Sequence, residues 1–272
     1  MPSTIKIFTE NSDFQTIETL RRNRVKRNHA GKFFVEGVRA ITQAVEKKWE
    51  INALVFSREK RLSDWAEGML QKSGAKKHYE LPTHLMEKLS DKDETSELIA
   101  LMEIPADDLS RIPTGEKMLV VVLDRPSSPG NLGTILRSCD ALQADGLIVN
   151  GHAADLYDPE TIRATTGSFF CVPSIRIASH NELVPWLDGL KQRYDGFQIV
   201  GTSAKAKITI HEHDFTEPTV LLVGNETNGL SDAYKALADR MVTIPMYGYA
   251  SSLNIACATS ILLYEAMRQR GL

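Results

Sequence analysis

The sequence predicts an α/β protein with two domains, the second of which contains a mostly parallel sheet. The chain has 272 residues, against a typical ~150 residues per domain. Short apolar runs typical of buried strands alternate with helical patterns, and a stretch rich in proline, glycine and polar residues lies between positions 104 and 117. We therefore expect four parts: a basic extension at 1–30, a small domain at 31–106, a linker at 107–116 and a larger domain at 117–272.

Both predicted domains repeat the alternation of strand and helix. In the first, the strands FFVEG and INALVFS flank the amphipathic helix VRAITQAVEKK. In the second, the strand KMLVVVLD, a helix through Leu132 and Leu142, and the strand GLIVN form a βαβ crossover. FQIVGTS, TVLLVGN and MVTIP predict further strands, DAYKALADR predicts a helix, and SSLNIACATSILLYEAMRQR predicts a long terminal helix. Ligands of open α/β sheets bind at the carboxyl ends of strands, so the loops there are the candidate site.

The composition is that of an ordinary globular protein and excludes several classes. The chain is 42% hydrophobic and 25% charged, which argues against a disordered or fibrous protein. No stretch reaches the ~20 apolar residues of a membrane span, and the polar N-terminus lacks the apolar segment of a signal peptide. The three cysteines form no C-x-x-C pair, so neither a disulfide framework nor a zinc knuckle is indicated. We expect a cytoplasmic protein without a bound metal or a membrane partner.

One segment departs from the formal net charge of −3. Positions 21–32, RRNRVKRNHAGK, contain six basic residues and no acid, and would concentrate an anionic polymer such as RNA. A solvated arm explains the same pattern equally well. The candidate RNA-binding residues are Arg21, Arg22, Arg24, Lys26, Arg27 and Lys32.

Three loops of the second domain are unusual. The first, DRPSSPGNLGTILRS, contains Asn131, which could cap the next helix, and Arg137, about two turns into that helix. The second, VGNETNGLSD, surrounds Glu226 with glycines that permit a close approach of a ligand to the backbone. The third, IPMYGYASSLNIACATSILLYE, precedes a helix whose small early residues let another group pack closely. Taken singly, each loop could equally be an ordinary turn or packing face.

Together these loops resemble a known family. NLGTILRS, GNETNGLS and IPMYGYASSLNIA resemble, in order and spacing, the three signature motifs of SpoU-type (TrmH-like) RNA ribose methyltransferases of the SPOUT superfamily. GKFFVEGVRAITQAVEKKWEINALVFS resembles the small ribosomal-protein-like domain that binds substrate in many of these enzymes. DRPSSPGNLGTILRSCDALQADGLIV and GHAADLYDP are most similar to the subgroup that methylates a uridine ribose of 23S rRNA and confers avilamycin resistance.

The resemblance implies a fold, a reaction and partners. The fold is a small α/β substrate-binding domain followed by a SPOUT α/β domain with a deep trefoil knot. The reaction is S-adenosylmethionine-dependent methylation of an RNA ribose 2′-hydroxyl, with rRNA as the expected partner and no DNA partner. The family also implies a homodimer in which the partner subunit helps to complete each RNA site.

The resemblance also assigns residues by position. The implied catalytic residues are Asn131, Arg137, Glu226, Ser252 and Asn254. The implied cofactor-binding residues are Thr202, Gly224, Asn225, Glu226, Gly229, Ile244, Met246 and Leu253.

The role of the arginine in the first motif can be argued chemically. The family proposal makes Arg137 the general base, yet a guanidinium in a protein is normally always protonated. We favour the hypothesis that Arg137 clamps phosphate and stabilises a developing alkoxide, while Asn131 holds its loop and Ser252 and Asn254 orient the substrate. Tyr247 and Tyr249 could line the RNA site.

Other functions are less consistent with the sequence. A non-catalytic RNA-binding protein, and an enzyme of the same family acting on a different rRNA or tRNA nucleotide, stay open as alternatives. A dehydrogenase is disfavoured because the dinucleotide fingerprint G-x-G-x-x-G is missing. Ser127 and Ser128 fit no nucleophile elbow and are interpreted as turn residues.

A metal hydrolase is disfavoured as well. The two candidate ligand groups lack the i, i+4 spacing of a helical zinc motif, and we expect both to be solvated surface loops. These groups are His211-Glu212-His213 and the trio His152, Asp155 and Asp158.

Overall fold

The computed structural model describes residues 2–90 and 94–271. The described residues form two compact units. The first contains the chain up to Ala106 together with Tyr157–Cys171, and the second contains Asp107–Leu156 and the chain from Val172 onward.

Helices and strands alternate along most of the chain. The strands are β1 (Ser3–Lys6), β2 (Lys32–Glu36), β3 (Ile51–Phe56), β4 (Lys77–Glu80), β5 (Leu98–Glu103), β6 (Leu119–Asp124), β7 (Gly146–Asn150), β8 (Ser174–Ile177), β9 (Gln198–Thr202), β10 (Ile208–Thr209), β11 (Thr219–Val223) and β12 (Arg240–Thr243). The helices are α1 (Ser12–Arg22), α2 (Arg24–Ala30), α3 (Val38–Glu46), α4 (Asp64–Lys72), α5 (Thr83–Leu89), α6 (Pro129–Ala141), α7 (Pro159–Ala164), α8 (His180–Arg193), α9 (Asp232–Leu237) and α10 (Ile255–Gln269). Short 3₁₀ turns occur at Leu109–Arg111 and Ser168–Phe170.

The first unit is built on a five-stranded sheet in the order β1-β4-β3-β5-β2. β4 is parallel to β1 and β3, whereas β5 is antiparallel to β3 and β2. Apolar side chains from strands and helices form its core, among them Ile17, Phe34, Val55, Leu85 and Ile99. The predicted strand, helix, strand order of this domain is confirmed.

The prediction that residues 1–30 form a separate extension is wrong. β1 pairs with β4, with Ser3 opposite Lys77, and α1 buries Phe14, Ile17 and Leu20. An Asn11 side chain caps α1, and Asn23 caps α2. Within α1 the basic residues begin only at Arg21, and the three-residue spacing of the apolar positions before them was the available signal of an amphipathic helix.

A distant segment completes the first unit. Tyr157 and Phe169 lie against Phe33, with ring centroids 4.9 and 5.8 Å away. The indole of Trp49 donates a hydrogen bond to the Phe170 carbonyl (3.1 Å). Tyr157–Cys171 belongs to the first unit although the residues before and after it belong to the second. No local pattern predicts this, because the aromatic contacts span more than 100 residues.

The second unit is built on a seven-stranded sheet in the order β10-β12-β9-β11-β6-β7-β8. Each neighbouring pair is parallel, as the continuous apolar strands predict for a sheet covered on both faces. α6 packs beside α10, where the hydroxyl oxygens of Ser138 and Ser260 are 2.7 Å apart. Such close packing confirms the significance of the small residues early in the terminal helix.

Two boundaries differ from the predictions. Residues 107–116 are not a free linker, because Ile112 is buried in the core of the second unit and Asp107 accepts hydrogen bonds from Arg176. The terminal helix begins at Ile255 rather than Ser251, because the Asn254 side chain accepts hydrogen bonds from the backbone N–H groups of Ala256 and Cys257.

Within the described ranges, none of the helices combines the length and the apolar character needed to cross a membrane.

Candidate functional site

The unusual loops converge at one edge of the seven-stranded sheet. β12, β9, β11 and β6 are consecutive neighbours and run parallel, so their carboxyl ends share an edge. The loops after β6, β11 and β12 are the three that the sequence singles out. The strand order therefore places the three loops at one edge, where the sequence analysis located the candidate site.

A cavity of about 620 Å³ opens at this edge. Its lining includes the loops after β9, β11 and β12 and the start of α10. All eight positions predicted as cofactor contacts line it, as do three of the predicted catalytic residues. These lining residues are Thr202, Gly224, Asn225, Glu226, Gly229, Ile244, Met246, Ser252, Leu253 and Asn254. Their placement is a finding, whereas their roles as contacts stay predictions.

The turn after β11 requires glycine at two positions. A Cβ on Gly224 would lie 2.1 Å from the backbone of Gly229 and of Leu230, a distance that no side chain tolerates. Gly229 has φ +66°, which glycine adopts at little cost. Asn225 and Gly229 exchange backbone hydrogen bonds of 2.9 and 3.1 Å, so the turn closes tightly on itself.

The carboxylate of Glu226 joins this turn to the loop after β6. It accepts hydrogen bonds from the backbone N–H (3.1 Å) and hydroxyl (2.9 Å) of Ser127 and from Asn131 Nδ2 (3.2 Å). Partial burial opposes ionisation of Glu226, but hydrogen bonds from its own backbone N–H, Asn131 and Ser127 outweigh burial and lower its pKa. A negative charge is therefore fixed at the cavity wall.

Asn131 extends the connection to the third loop. Its Oδ1 accepts a hydrogen bond from Asn254 Nδ2 (3.1 Å), while Asn254 Oδ1 caps α10. Glu226, Asn131 and Asn254 thus form a continuous chain across all three loops. The carboxylate takes the Asn131 amide nitrogen as its donor, which leaves the Asn131 oxygen to accept from Asn254.

Asn131 does not cap α6, contrary to the prediction. The cap is Ser128, whose hydroxyl accepts a hydrogen bond from the Asn131 N–H (3.3 Å). Pro129 occupies the first turn, where its missing N–H costs nothing. The Asn131 side chain is therefore available for Glu226 and Asn254, and Ser127 is a partner of Glu226 as well as a turn residue.

Sequence reasoning missed a second connection beneath the first. Asp124, 1% exposed at the end of β6, accepts hydrogen bonds from Arg125 Nε (2.8 Å) and from the Ser231 N–H (2.8 Å). Asn225 Nδ2 donates to the Arg125 carbonyl (2.7 Å). Burial opposes ionisation of Asp124, but hydrogen bonds from Arg125 and Ser231 outweigh it and lower the pKa. A charged residue ending an apolar strand was the available signal.

The remaining predicted residues of this unit are exposed. Arg137 lies on the outer surface of α6 and makes no hydrogen bond or ion pair with any residue that the structure describes. It does not line the cavity. Tyr247 and Tyr249 are 95% and 110% exposed, and Ser252 is exposed at the cavity. A free cation and two exposed rings are available to an external ligand.

The predicted RNA-binding residues of the first unit have different environments. Arg27 is only 1% exposed, donates to the carbonyls of Leu20 and Arg21 and pairs with Asp158 at 3.0 Å. Its assignment to RNA binding is wrong, because a buried guanidinium held by carbonyls is a structural group. Arg21 donates to the Leu89 and Ser90 carbonyls.

The other four basic residues are at least partly accessible. Arg22 and Lys26 are exposed, and Arg22 forms a surface pair with Glu18. Arg24 and Lys32 are half-buried.

The histidine and aspartate groups do not form metal sites. Among the described residues, no group of three or more His, Cys, Asp or Glu side chains could hold a metal ion. The expectation of solvated loops is wrong in part, since Asp155 is 7% exposed and Asp158 is the partner of Arg27.

The link through Glu226 predicts a pH-dependent stability. The folded-state pKa of Glu226 lies below the ordinary 4.5, so its contribution is present above pH 4.5 and is lost as the pH falls through the lowered value. At pH 7, Glu226→Gln should lower the free energy of unfolding by ~1–2 kcal/mol, and the difference should shrink in acid. Urea unfolding across this pH range measures it.

The matched control is Glu116→Gln, which changes an exposed carboxylate without a hydrogen-bond partner among the described residues. If the loss of unfolding free energy caused by Glu226→Gln does not vary with pH, the proposed role of the negative charge is contradicted.

Comparisons with known proteins agree with this architecture. The family model described as SpoU rRNA Methylase family matches residues 118–264, more than half of the chain, and the SpoU L30e-like domain matches residues 11–100. The 23S rRNA (uridine(2479)-2′-O)-methyltransferase of Streptomyces viridochromogenes is 46% identical over 270 residues, covering 99% of this chain and 94% of the relative. The 23S rRNA (guanosine(2553)-2′-O)-methyltransferase RlmP of Bacillus subtilis is 28% identical, covering 93% and 94%.

A solved structure extends the similarity to the fold. The crystal structure of the SpoU methyltransferase AviRb from Streptomyces viridochromogenes, in complex with the cofactor AdoMet, superimposes with a TM-score of 0.91 at 46% identity, covering 96% of this chain and 98% of that one. Given this similarity and the match of the family model, the chain belongs to the SpoU rRNA methylase family.

Proposed function

We propose that this protein transfers the methyl group of S-adenosylmethionine to the ribose 2′-hydroxyl of a uridine in 23S rRNA. The observation that carries the proposal is the cavity at the edge of the seven-stranded sheet, which is lined by all eight expected cofactor positions. Relatives that are similar over nearly the whole chain are named as 23S rRNA 2′-O-methyltransferases. The uridine is favoured because the uridine-specific relative is 46% identical and the guanosine-specific one 28%.

The cavity is suited to the methyl donor. About 620 Å³ lies within the ~300–1,000 Å³ typical of cofactor sites. The glycine-rich turn at Gly224 and Gly229 exposes backbone groups that can bind an adenosine. When bound, S-adenosylmethionine would supply a methyl group activated by its positive sulfonium, and the ionised Glu226 complements that charge.

The protein's own contribution is orientation. The chain Glu226, Asn131, Asn254 fixes the three loops relative to one another, so that Asn254 and Ser252 hold their positions at the cavity before RNA arrives. In-line attack by a ribose oxygen demands near-attack geometry, and such positioning can supply much of the rate. Arg137 would bind a phosphate of the RNA and stabilise the developing negative charge on the ribose oxygen.

The position of Arg137 supports a homodimer. Six residues of α-helix rotate by about 600°, so Arg137 lies about 120° around α6 from Asn131 and cannot share its direction. On the adjacent α10, Ile261 and Tyr264 lie three residues apart and are 37% and 55% exposed, which forms a short apolar stripe at helical spacing. A second copy packing on this stripe would cover it and could receive Arg137 at its own site. The trefoil knot and a cytoplasmic location stay predictions.

The proposed reaction is tested by mapping ribose methylation in 23S rRNA from cells that contain or lack the protein. We expect one uridine to lose its 2′-O-methyl group, together with avilamycin resistance if the similarity extends to that phenotype. In cells that lack the wild-type protein, the Arg137→Lys variant should restore little methylation. Its rate of methyl transfer should fall about 10²-fold, because lysine lacks the forked guanidinium group. The affinity for S-adenosylmethionine should not change, since Arg137 lies outside the cavity.

Arg193→Lys, at an exposed arginine of α8, is the matched control. An unchanged methylation pattern in cells that lack the protein would refute the proposed substrate. Near-full activity of Arg137→Lys would refute the proposed role of the forked guanidinium group.

A second prediction concerns the first unit. Replacing the exposed Arg22 and Lys26 by glutamine should weaken RNA binding and reduce its salt dependence, by about 1 in the log–log slope per lost phosphate contact. Cofactor affinity should stay the same. Lys47→Gln with Lys72→Gln removes the same charge from exposed positions elsewhere in this unit, and an equal effect of both pairs would argue against a specific RNA contact.

A third prediction concerns the dimer. Ile261→Glu places a charge in the apolar stripe of α10 and should convert a dimer into monomers, as measured by sedimentation equilibrium. Asn181→Glu, at an exposed position in the first turn of α8, should leave the mass unchanged. A wild-type protein that sediments as a monomer at micromolar concentration would remove the basis for a site shared between subunits.

A further inference from the structure

The cavity contains two lysines that the proposed reaction does not use. Lys205 lies in the loop that follows β9, and Lys235 lies in the middle of α9. Both residues line the cavity and both are exposed. Neither belongs to the three motifs that identify the family, and no local pattern marks them as site residues.

The charges at the cavity are separated by the order of the strands. Among the described residues that line it, the ionisable side chains are Lys205, Lys235 and Glu226. Glu226 follows β11 and bonds to Ser127 and Asn131, which follow β6. The lysines belong to the opposite side, because one follows β9 and α9 packs on β9. Glu226 follows β11, the neighbour of β9, and its carboxylate is held by the loop after β6 on the far side of β11, so at least one strand spacing of ~4.8 Å separates the two sides.

The two lysines are available to a ligand. Lys205 forms no ion pair with any residue that the structure describes. Lys235 pairs with Asp232 at 3.0 Å, but the two side chains are 50% and 99% exposed, and such i, i+3 surface pairs contribute little. Glu226, by contrast, is already held by three hydrogen bonds. The cationic side can therefore exchange partners, whereas the anionic side is fixed.

We propose that Lys205 and Lys235 form an anion subsite that binds the carboxylate of the donor's methionine tail. The inference rests on the proposed function, since it assumes that S-adenosylmethionine occupies the cavity. This donor carries a positive sulfonium and ammonium and a negative carboxylate. A wall with a fixed carboxylate on one side and two mobile ammonium groups on the other matches that distribution of charge, and orients the molecule in one direction.

The test compares two ligands that differ only in this carboxylate, S-adenosylmethionine and decarboxylated S-adenosylmethionine. Isothermal titration of the full-length protein measures both affinities in the wild type, Lys205→Met, Lys235→Met and the double variant. We expect the wild type to prefer the carboxylated ligand, and each substitution to reduce that preference by about 2- to 5-fold, as for a half-exposed ion pair. The affinity for the decarboxylated ligand should not fall.

Two further variants sharpen the comparison. Lys207→Met removes an exposed positive charge two residues beyond Lys205 and outside the cavity, so it should leave the preference unchanged. Asp232→Asn releases Lys235 from its surface pair and should increase the preference.

Each other outcome overturns the inference. Equal losses for both ligands would mean that the lysines maintain the shape of the cavity, and unchanged affinities would mean that they do not contact the tail. If RNA affinity measured with S-adenosylhomocysteine present falls while the ligand preference stays, the lysines bind RNA phosphate instead. A wild-type protein that binds neither ligand would refute the proposed function itself, which is a different result.

Discussion

The carboxylate of Glu226 connects the parts of the site that the chain keeps farthest apart. Ser127 and Asn131 are about 100 residues away in sequence, yet their donors lie within 3.2 Å of its oxygens. Through Asn131 the connection reaches Asn254 at the start of α10. Three loops at the sheet edge are thereby connected by hydrogen bonds, and two of them, the loops after β11 and β12, line the cavity.

This connection depends on a second one, which is centred on the buried carboxylate of Asp124. Asp124 holds both the Arg125 side chain and the Ser231 N–H, and Arg125 adopts φ +55°. A non-glycine residue in this conformation costs on the order of 1 kcal/mol, and the hydrogen bonds from Asn225 and to Asp124 offset that strain. The turn that follows β11 is therefore positioned in part by the buried Asp124, which does not itself line the cavity.

Charged side chains have different roles in the two units. In the first, the basic segment looks like a binding arm, but Arg27 is a buried structural group and Arg21 ties α1 to the end of α5. Only the exposed members, chiefly Arg22 and Lys26, are available to RNA. In the second unit, whether a charged side chain can bind a ligand depends on the partners that it already has within the chain. Glu226 is satisfied internally, whereas Arg137 and Lys205 form no ion pair within the described chain.

The sequence by itself determined the fold class, the parallel character of the larger sheet, the three loops and their common edge. These follow from local properties: apolar runs specify buried strands, and ligand sites of open α/β sheets occur at strand carboxyl ends. Only the tertiary structure decided that Asn131 bonds to Glu226 rather than capping α6, that Arg27 is buried, and that Tyr157–Cys171 packs with Phe33 and Trp49. Each of these three outcomes depends on contacts between residues distant in the chain or on competition between nearby donors. The spacing and composition of the sequence encode neither of these two causes.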